Sequence, residues 1–506
     1  MMSGLTLGKS SAPAACGSLQ ERSCVLSKKF VLTVVVLLAV SGAALAQTLT
    51  TLKNQPPDGI IYTFQLTDGT VMAQGGTCSD WWKLTPDNTG SYVNGTWTQL
   101  ASLPSGYAPY ANASAVLADG RLIIEGGEYS NCGADFTLTN QGAIYDPVAN
   151  TWTTVTPPKG WNYIGDSPSV VLPNGNYLIG NKLTKQMREL NPKTMQWTTV
   201  SSKGKKDFNA EEGWTLLPDG SVLTADVKDA PNSEIYDATA KKPKWVTAGS
   251  TIVDLHSPSP FGCINYGPDG KLCYYPPGEI GPAILRPDGT VFVTGSYTKN
   301  NGPGNTAIYD SLTGEWTVGP VFPNDDNAGD SFAVLLTNGD VLVEGDSGSS
   351  YVFDGTNLTP GPFTPGSLMV LPTGEVLVGG GVTEVYTSTG TYQTSWAPTI
   401  STYPSTVTRG STYSISGTQF NGLSQAAAFG DELQTATNYP LVQITNSSTG
   451  HVFYARTHNH SSMGVATGTE TVSTNFDVPS SMETGASTLV VIANGIPSAA
   501  VDVTVQ

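Results

Sequence analysis

Three of the chain's four histidines, His451, His458 and His460, fall within ten residues of one another. If the stretch Tyr454-Ala455-Arg456-Thr457-His458-Asn459-His460 is extended, alternation places Arg456, His458 and His460 on one strand face. Carboxylates recur elsewhere at a fixed offset from a repeated turn: Asp166, Glu211 and Asp330 stand eight residues before it, Glu279 stands nine before, and Glu212 adjoins Glu211. Two imidazoles with converging carboxylates form a donor set for a divalent ion, Mn, Fe or Zn, or Ca where carboxylates act alone. Arg456 and Glu212 would then hold polar groups of a substrate. The same residues also have a structural reading, in which carboxylates at strand starts accept backbone N–H groups around a channel and the histidine strand docks on them as ion pairs. Like charges placed together raise each other's pKa, so an acidic ring needs Arg456, histidinium or protons to balance it. His256, alone in a loop, reads as solvated.

The offset is set by a repeated unit, a short apolar strand, a tight turn and a second apolar strand, as in Leu216-Leu217-Pro218-Asp219-Gly220-Ser221-Val222-Leu223. Asp-Gly between apolar runs suits a two-residue hairpin turn, because glycine accepts positive φ at little cost. The turn pair recurs at Asp68-Gly69, Asp119-Gly120, Asn174-Gly175, Asp219-Gly220, Asp288-Gly289, Asn338-Gly339 and Thr373-Gly374, with spacings from 35 to 69 residues. Seven small sheets with variable loops predict propeller blades rather than one continuous sheet. Eight residues before the turn lies the start of each innermost strand, so the carboxylates are expected at one mouth of the channel.

Composition agrees with an all-β chain: Gly 56, Pro 34, Trp 10 and Tyr 21 in 506 residues describe short strands and frequent turns. A net charge of -17 with 13% charged residues argues against a nucleic-acid or anionic-membrane partner. Lys28 and Lys29, the apolar run Phe30 to Val40 and Ala44-Leu45-Ala46 before Gln47 predict a cleaved export signal over 1–46. The apolar run is too short to span a bilayer, so no membrane span is expected in the mature protein. Removing that segment takes Cys16 and Cys24 with it and leaves Cys78, Cys132, Cys263 and Cys273. Cys78 and Cys132 occupy equivalent places after Gly75-Gly76 and Gly126-Gly127, which favours a bridge between neighbouring blades. Cys263 and Cys273 flank Gly267-Pro268-Asp269-Gly270 and could close an inserted hairpin. Metal ligation by these four is the rival, but their spacing departs from zinc patterns and an exported chain favours disulfides.

Gly-Gly after the second strand, then Ile144-Tyr145-Asp146-Pro147 and Asn150-Thr151-Trp152, resemble the kelch repeat, and later blades keep parts of it: Ile235-Tyr236-Asp237 before Trp245, Ile308-Tyr309-Asp310 before Trp316, Val385-Tyr386 before Trp396, and Met195-Gln196-Trp197. The repeated Tyr and Trp are expected in the inter-blade core. The lead-in from Thr48 to Gly59 is expected to pair with the last blade and close the ring. Residues 47–397 therefore form the propeller. From Pro398 the strands lose the kelch features, and 398–506 predicts an immunoglobulin-like sandwich. A kelch propeller followed by such a domain, with Phe476-Asp477-Val478-Pro479 and Asn494-Gly495-Ile496-Pro497-Ser498 near the end, resembles the galactose oxidase and glyoxal oxidase family of copper radical enzymes.

That resemblance implies copper held by two tyrosines, one cross-linked to a cysteine, and two histidines, one of them brought through the propeller axis by the C-terminal domain. The tyrosine–histidine pair should stand at Thr364 and Pro365, the cross-linked tyrosine at Ala111 with Tyr110 one place off, and only His458 or His460 is left as a ligand. A Cys–Tyr radical copper centre is therefore not expected. No Gly-x-Ser-x-Gly, phosphate loop or His-Glu-x-x-His stretch is present. Trp81-Trp82, Trp161, Tyr163, Tyr274 and Tyr275 are either sugar-stacking platforms or loop packing. Two functions stay open: a secreted propeller that binds carbohydrate or a surface polymer, and an enzyme using a metal at the channel mouth on an alcohol, aldehyde or sugar.

Overall fold

The computed structural model describes residues 47–133, 136–258, 278–298, 302–429 and 435–506, with the backbone of 264–266 and 272–274. The segment 1–46, and with it the export signal, lies outside the described residues, as does Cys263. Among the described residues the only helices are two single 3-10 turns, Pro323–Asp325 and Thr394–Trp396, and no helix is long and apolar enough to cross a membrane.

Seven antiparallel sheets follow one another along the chain, each strand paired with its sequence neighbours. Blades 1 to 6 begin at Thr63, Ala113, Ser169, Thr215, Ile280 and Phe332. Blade 7 joins Leu368–Val370, Val376–Val378 and Glu384–Thr387 to Thr48–Thr51 from the N-terminal side, with Thr48 opposite Thr387 and Thr51 opposite Glu384. The ring thus closes by pairing its two ends, which removes two exposed sheet edges. Trp396, matched to the kelch tryptophan of the last blade, lies in the second 3-10 turn, with its ring against Gly339. The outer place was already filled from the N-terminal side.

The repeated turns differ from the two-residue form expected. In blade 4 the Gly220 N–H donates to Leu217 O at 2.9 Å and the Leu217 N–H donates to Ser221 O at 2.8 Å, so three residues, Pro218-Asp219-Gly220, make the loop. Only Gly220 takes positive φ, at 83°, which matches a type I turn followed by a left-handed glycine. The Asp219 carboxylate accepts the Ser221 N–H at 2.9 Å. The aspartate is there to cap the turn, not to bend it.

Inner strands such as Leu122–Glu125 and Val341–Glu344 are apolar on both faces because blades stack on either side, and the kelch aromatics fill those interfaces: Tyr145 packs on Trp152, Tyr236 on Trp245 and Tyr309 on Trp316, with centroids 5.1 to 5.3 Å apart. After residue 398 the strands build a second β unit with its own core around Ile415, Val442, Phe476 and Val491. Val452–His458 changes sheets midway: Val452 to Ala455 pair with Val442–Thr445, and Arg456 to His458 pair with Asn475–Asp477. This unit sends Ala427–Phe429 into the propeller, where it pairs antiparallel with Phe332–Val334, the innermost strand of blade 6.

Candidate functional site at the channel mouth

Each inner strand runs from one mouth of the channel to the hairpin turn at the other, so the residues that precede the strands gather at a single mouth. Asp166 and Glu211 are buried there, and Lys182, fully buried, stands between them. Its ammonium bonds Asp166, lies 2.5 Å from Glu211 and 3.5 Å from Glu128. Burial, then Glu211 and Asp330, push the Glu279 carboxyl well above the usual range, while Lys182 opposes the shift. Asp166, Glu211, Glu279 and Asp330 are therefore brought together as the sequence suggested, with Glu128 and a lysine added. Glu211 holds its place through a left-handed backbone, φ 56°, and the equivalent Ala111 has φ 51°. For non-glycine residues that conformation costs roughly 1 kcal/mol each.

A count backwards from the turn reaches Asp166 but not its lysine partner. Counting the same eight positions forward from Asn174 reaches Lys182, the open end of the same hairpin as Asp166. A forward count would have found it.

Beside this cluster two chain segments run together. Glu128 N–H donates to Ala111 O at 2.9 Å, Tyr110 and Tyr129 exchange backbone hydrogen bonds, and Cys132 N–H donates to Ala108 O at 2.9 Å. The ribbon carries an aromatic row: Tyr62 stacks on Tyr110 at 5.7 Å, Tyr110 meets Tyr129 edge-on at 6.0 Å, and Tyr129 meets Phe136 at 5.3 Å. Tyr110 and Phe136 each keep 37% of their surface exposed. Burial, then Glu128 and Asp166, push the Tyr129 hydroxyl up to about 12, so this phenol stays a neutral donor at the edge of the charged cluster. The disulfide Cys78–Cys132, Cα atoms 5.3 Å apart, ties the ribbon to blade 1.

Other expected site residues lie elsewhere. Glu212 is fully buried inside blade 4, 2.7 Å from Lys205, which also bonds Glu234 at 2.9 Å. The left-handed Glu211 turns the next side chain away from the channel, so Glu212 is not placed to meet a substrate. Arg456, His458 and His460 sit at the opposite, hairpin-turn side: the Thr457 N–H donates to Thr67 O, the His460 N–H to Ala118 O, and Arg456 Nη2 to Asp119 O. Arg456 and His458 share a face, as alternation requires, and both reach Asp477 at 3.1 Å. Asn459, at φ 55°, ends the strand, and His460 turns inward to stack on Tyr439 with Nδ1 2.9 Å from Thr474 Oγ1. Burial, then His458 and Arg456, lower His460 to about 3. His451 bonds Glu483 and His256 bonds Asp254. His458 and His460 thus occupy the opposite end of the inner hairpins from the carboxylates, whereas His256 lies on the carboxylate side, next to Ser257, whose N–H donates to Glu279 O at 2.8 Å.

The segment that enters the channel is Ala427–Phe429, where the resemblance called for a histidine. Thr364 is exposed, and Thr364, Pro365 and Ala111 offer no phenol or imidazole. Of the expected stacking residues, Trp81 packs in the core against Phe64 and Trp152, and Trp161 is buried beneath the Arg188 guanidinium. Trp82 and Tyr163 are half-buried. Tyr275 lies outside the described residues, and Tyr274 is described by its backbone alone, in the hairpin Ile264–Tyr266 with Leu272–Tyr274. The pairing of Cys263 with Cys273 also lies outside the described residues.

No known family model matches the chain. It is 29% identical over 127 residues to the Kelch-like protein terF of Aspergillus terreus (strain NIH 2624 / FGSC A1156), a match over 25% of this chain and 26% of that protein. The chain therefore spans about a quarter of the length of the curated relative it matches. Similar solved structures include a novel fungal alcohol oxidase of the AA5 family in complex with copper (14% identity, TM-score 0.48, 91% of this chain and 99% of that one). YjhT (16%, 0.42, 62% and 99%) and virginiamycin B lyase from Staphylococcus aureus (12%, 0.44, 68% and 99%) are others. The strand order makes this chain an all-β, seven-bladed propeller carrying a second β unit that sends a strand into its channel, and part of it is similar to a kelch-like protein.

Proposed function

We propose that the protein is an exported carbohydrate-binding propeller whose ligand rests on the aromatic row at the carboxylate mouth. The observation that carries this is the aromatic row of exposed Tyr110 and Phe136 on either side of half-buried Tyr129, whose hydroxyl lies beside Glu128, Asp166 and Lys182. Aromatic faces take the apolar side of a sugar ring, and the Glu128 carboxylate, a fifth of its side chain exposed, can accept hydrogen bonds from its hydroxyls, while buried Lys182, Asp166 and Glu211 hold the floor beneath. A disulfide between blades supports export to an oxidising compartment.

A metal enzyme is the second reading, because Glu128, Asp166 and Glu211 offer oxygen atoms within 4.8 Å of one another. Lys182 weighs against it. Its ammonium already lies among those oxygens, 2.5 Å from Glu211 and 3.5 Å from Glu128, occupies the place an ion would take, and repels a divalent ion a few ångströms away. Copper fits less well still, since the groups described in the cluster are carboxylates and an ammonium with the neutral phenol of Tyr129 at its edge, where copper prefers imidazole and softer ligands.

A glycan array with the full-length protein tests the proposal: binding to at least one polysaccharide, lost in Tyr110→Ala, is expected, and no binding to any glycan would overturn it. Elemental analysis by plasma mass spectrometry separates the second reading. A full equivalent of a transition metal, lost in Glu211→Gln, would replace carbohydrate binding with metal chemistry.

A further inference from the structure

We propose that the mouth is one end of a linear groove that selects neutral oligosaccharide chains over single sugars and over acidic glycans. This rests on the carbohydrate reading of the mouth and adds the class and length of its ligand. From Glu128 the ribbon passes Tyr129, then Ser130 and Asn131, then the disulfide at Cys132, while Tyr110 and Ala108 run beside it. Where the aromatic row ends a cavity of about 470 Å³ begins, formed by Ser79, residues 102–108 and residues 130–131. Ala108, Ser130 and Asn131 belong to both features, so the groove continues the row without a break.

Two properties point to its occupant. The lining contains no charged residue, in a chain whose net charge is -17. It is rich in hydroxyls, from Ser79, Ser102, Ser105 and Ser130, over a floor of Leu103 and Tyr107, both buried. Small hydroxyls over an apolar floor match the alternating polar edges and apolar faces of a neutral sugar chain. They give a uronic acid no cation, and the acidic surroundings repel it. The volume falls within the ~300–1,000 Å³ of ligand clefts, which leaves room for units beyond the one on the tyrosines. Ser102 Oγ donates to Asp80 and Ser130 Oγ to Thr137 O, at 2.9 and 2.6 Å, so these hydroxyls are oriented in advance with their lone pairs free to accept from a sugar's hydroxyls.

Titration calorimetry of the full-length protein with cello-, manno- and xylo-oligosaccharides from disaccharide to hexasaccharide, and with oligogalacturonides of the same lengths, tests this. At least one neutral series should tighten by about tenfold or more between disaccharide and tetrasaccharide, while the acidic series stays at least tenfold weaker at every length. Ser105→Trp, at an exposed position, should remove the gain with length while circular dichroism and thermal midpoint match wild type. Affinity flat with length, acidic chains bound as tightly as neutral ones, or a length gain that survives Ser105→Trp would overturn the groove. Flat affinity that Tyr110→Ala abolishes would overturn the groove and keep the mouth. No binding of any sugar would overturn both.

Discussion

Tyr110 and Tyr129 exchange both backbone hydrogen bonds, at 3.0 and 3.3 Å, and their rings meet edge-on with centroids 6.0 Å apart. One residue comes from the approach to the inner strand of blade 2 and the other from the loop after its second strand. The backbone pair fixes the angle between the rings, so the aromatic row is set before any ligand arrives.

Tyr129→Ala should therefore weaken glycan binding by about tenfold or more, and Tyr129→Phe should retain most of it, because ring stacking contributes on the order of 1 kcal/mol per contact. Affinity measurement on the two variants decides between ring and hydroxyl. Equal losses in both would assign the effect to the hydroxyl.

Lys182→Met tests the charged half of the mouth. The methionine fills the space of the lysine stem but leaves Asp166 and Glu211 buried without its ammonium. Removing one partner of a buried ion pair costs about 3–5 kcal/mol. Because Lys182 also restrains the upward shift of Glu279, the variant should regain stability as the pH is lowered and its carboxyls take up protons. Urea denaturation at pH 5 and pH 8 measures this, and an equal loss at both would show that packing, not charge, is what Lys182 supplies.

A second buried network gives the protein an acid-favoured stability. Lys205 stays charged against the desolvation that opposes it because Glu212 and Glu234 hold it, and beside them Asp226 is pushed up to about 7, chiefly by burial. Glu344, also mainly through burial, lies at about 7. Between the ordinary carboxylate range and pH 7 these groups keep protons that the unfolded chain releases. Folding then takes up protons, and stability falls as pH rises through that window. Asp226→Asn and Glu344→Gln should each flatten the decline between pH 5 and pH 8 by on the order of a kcal/mol or more. His460, lowered to about 3 by burial, contributes the opposite slope up to about pH 6.5, so the assignment is read from the difference between variant and wild type, and variants whose stability runs parallel to wild type from pH 5 to pH 8 would contradict it.

The architecture was legible because each blade repeats the same local signals: a left-handed glycine after a capping carboxylate or amide, as at Asp219-Gly220, and an apolar strand on either side. Equivalence between blades also gave the bridge, since Cys78 and Cys132 occupy the same place in successive blades. The carboxylate mouth followed from counting along single strands, and that is why Asp166 and Glu211 were found together. What strand counting could not supply was any contact between distant segments. His458 was set against the carboxylates because both occupy strand ends, but the end of a strand does not say which mouth it faces. Here the C-terminal unit docks on the hairpin turns, where any Cβ at Gly69, already at φ 74°, would collide with the Tyr454 ring. Trp81 and Trp161 stayed open between stacking platform and packing for the same reason: composition marks an aromatic residue as available, and packing decides whether it is exposed.

The strand that does enter the channel provides a further test. Ala427, Ala428 and Phe429 pair with Val334, Ala333 and Phe332. Phe429 packs on Phe332 at 4.4 Å and on Tyr62 at 5.8 Å, and Tyr62 in turn stacks on Tyr110, so the plug supports the aromatic row from behind. Small side chains at 427 and 428 are what the inner strand leaves room for, and Ala427 is 1% exposed. Ala427→Asp places a carboxylate there with no cation nearby in this pairing. The cost should be about 3 kcal/mol or more near neutral pH, less at pH 5 where the new group can protonate. Ala427→Ser, close in volume, should cost under about 1.5 kcal/mol. If the plug withdraws, limited proteolysis should cut within residues 420–440 sooner in Ala427→Asp than in wild type, and glycan binding should weaken as Tyr62 and Tyr110 lose their backing. A destabilised variant that binds as wild type does would mean that the aromatic row is held by the Tyr110–Tyr129 pairing alone.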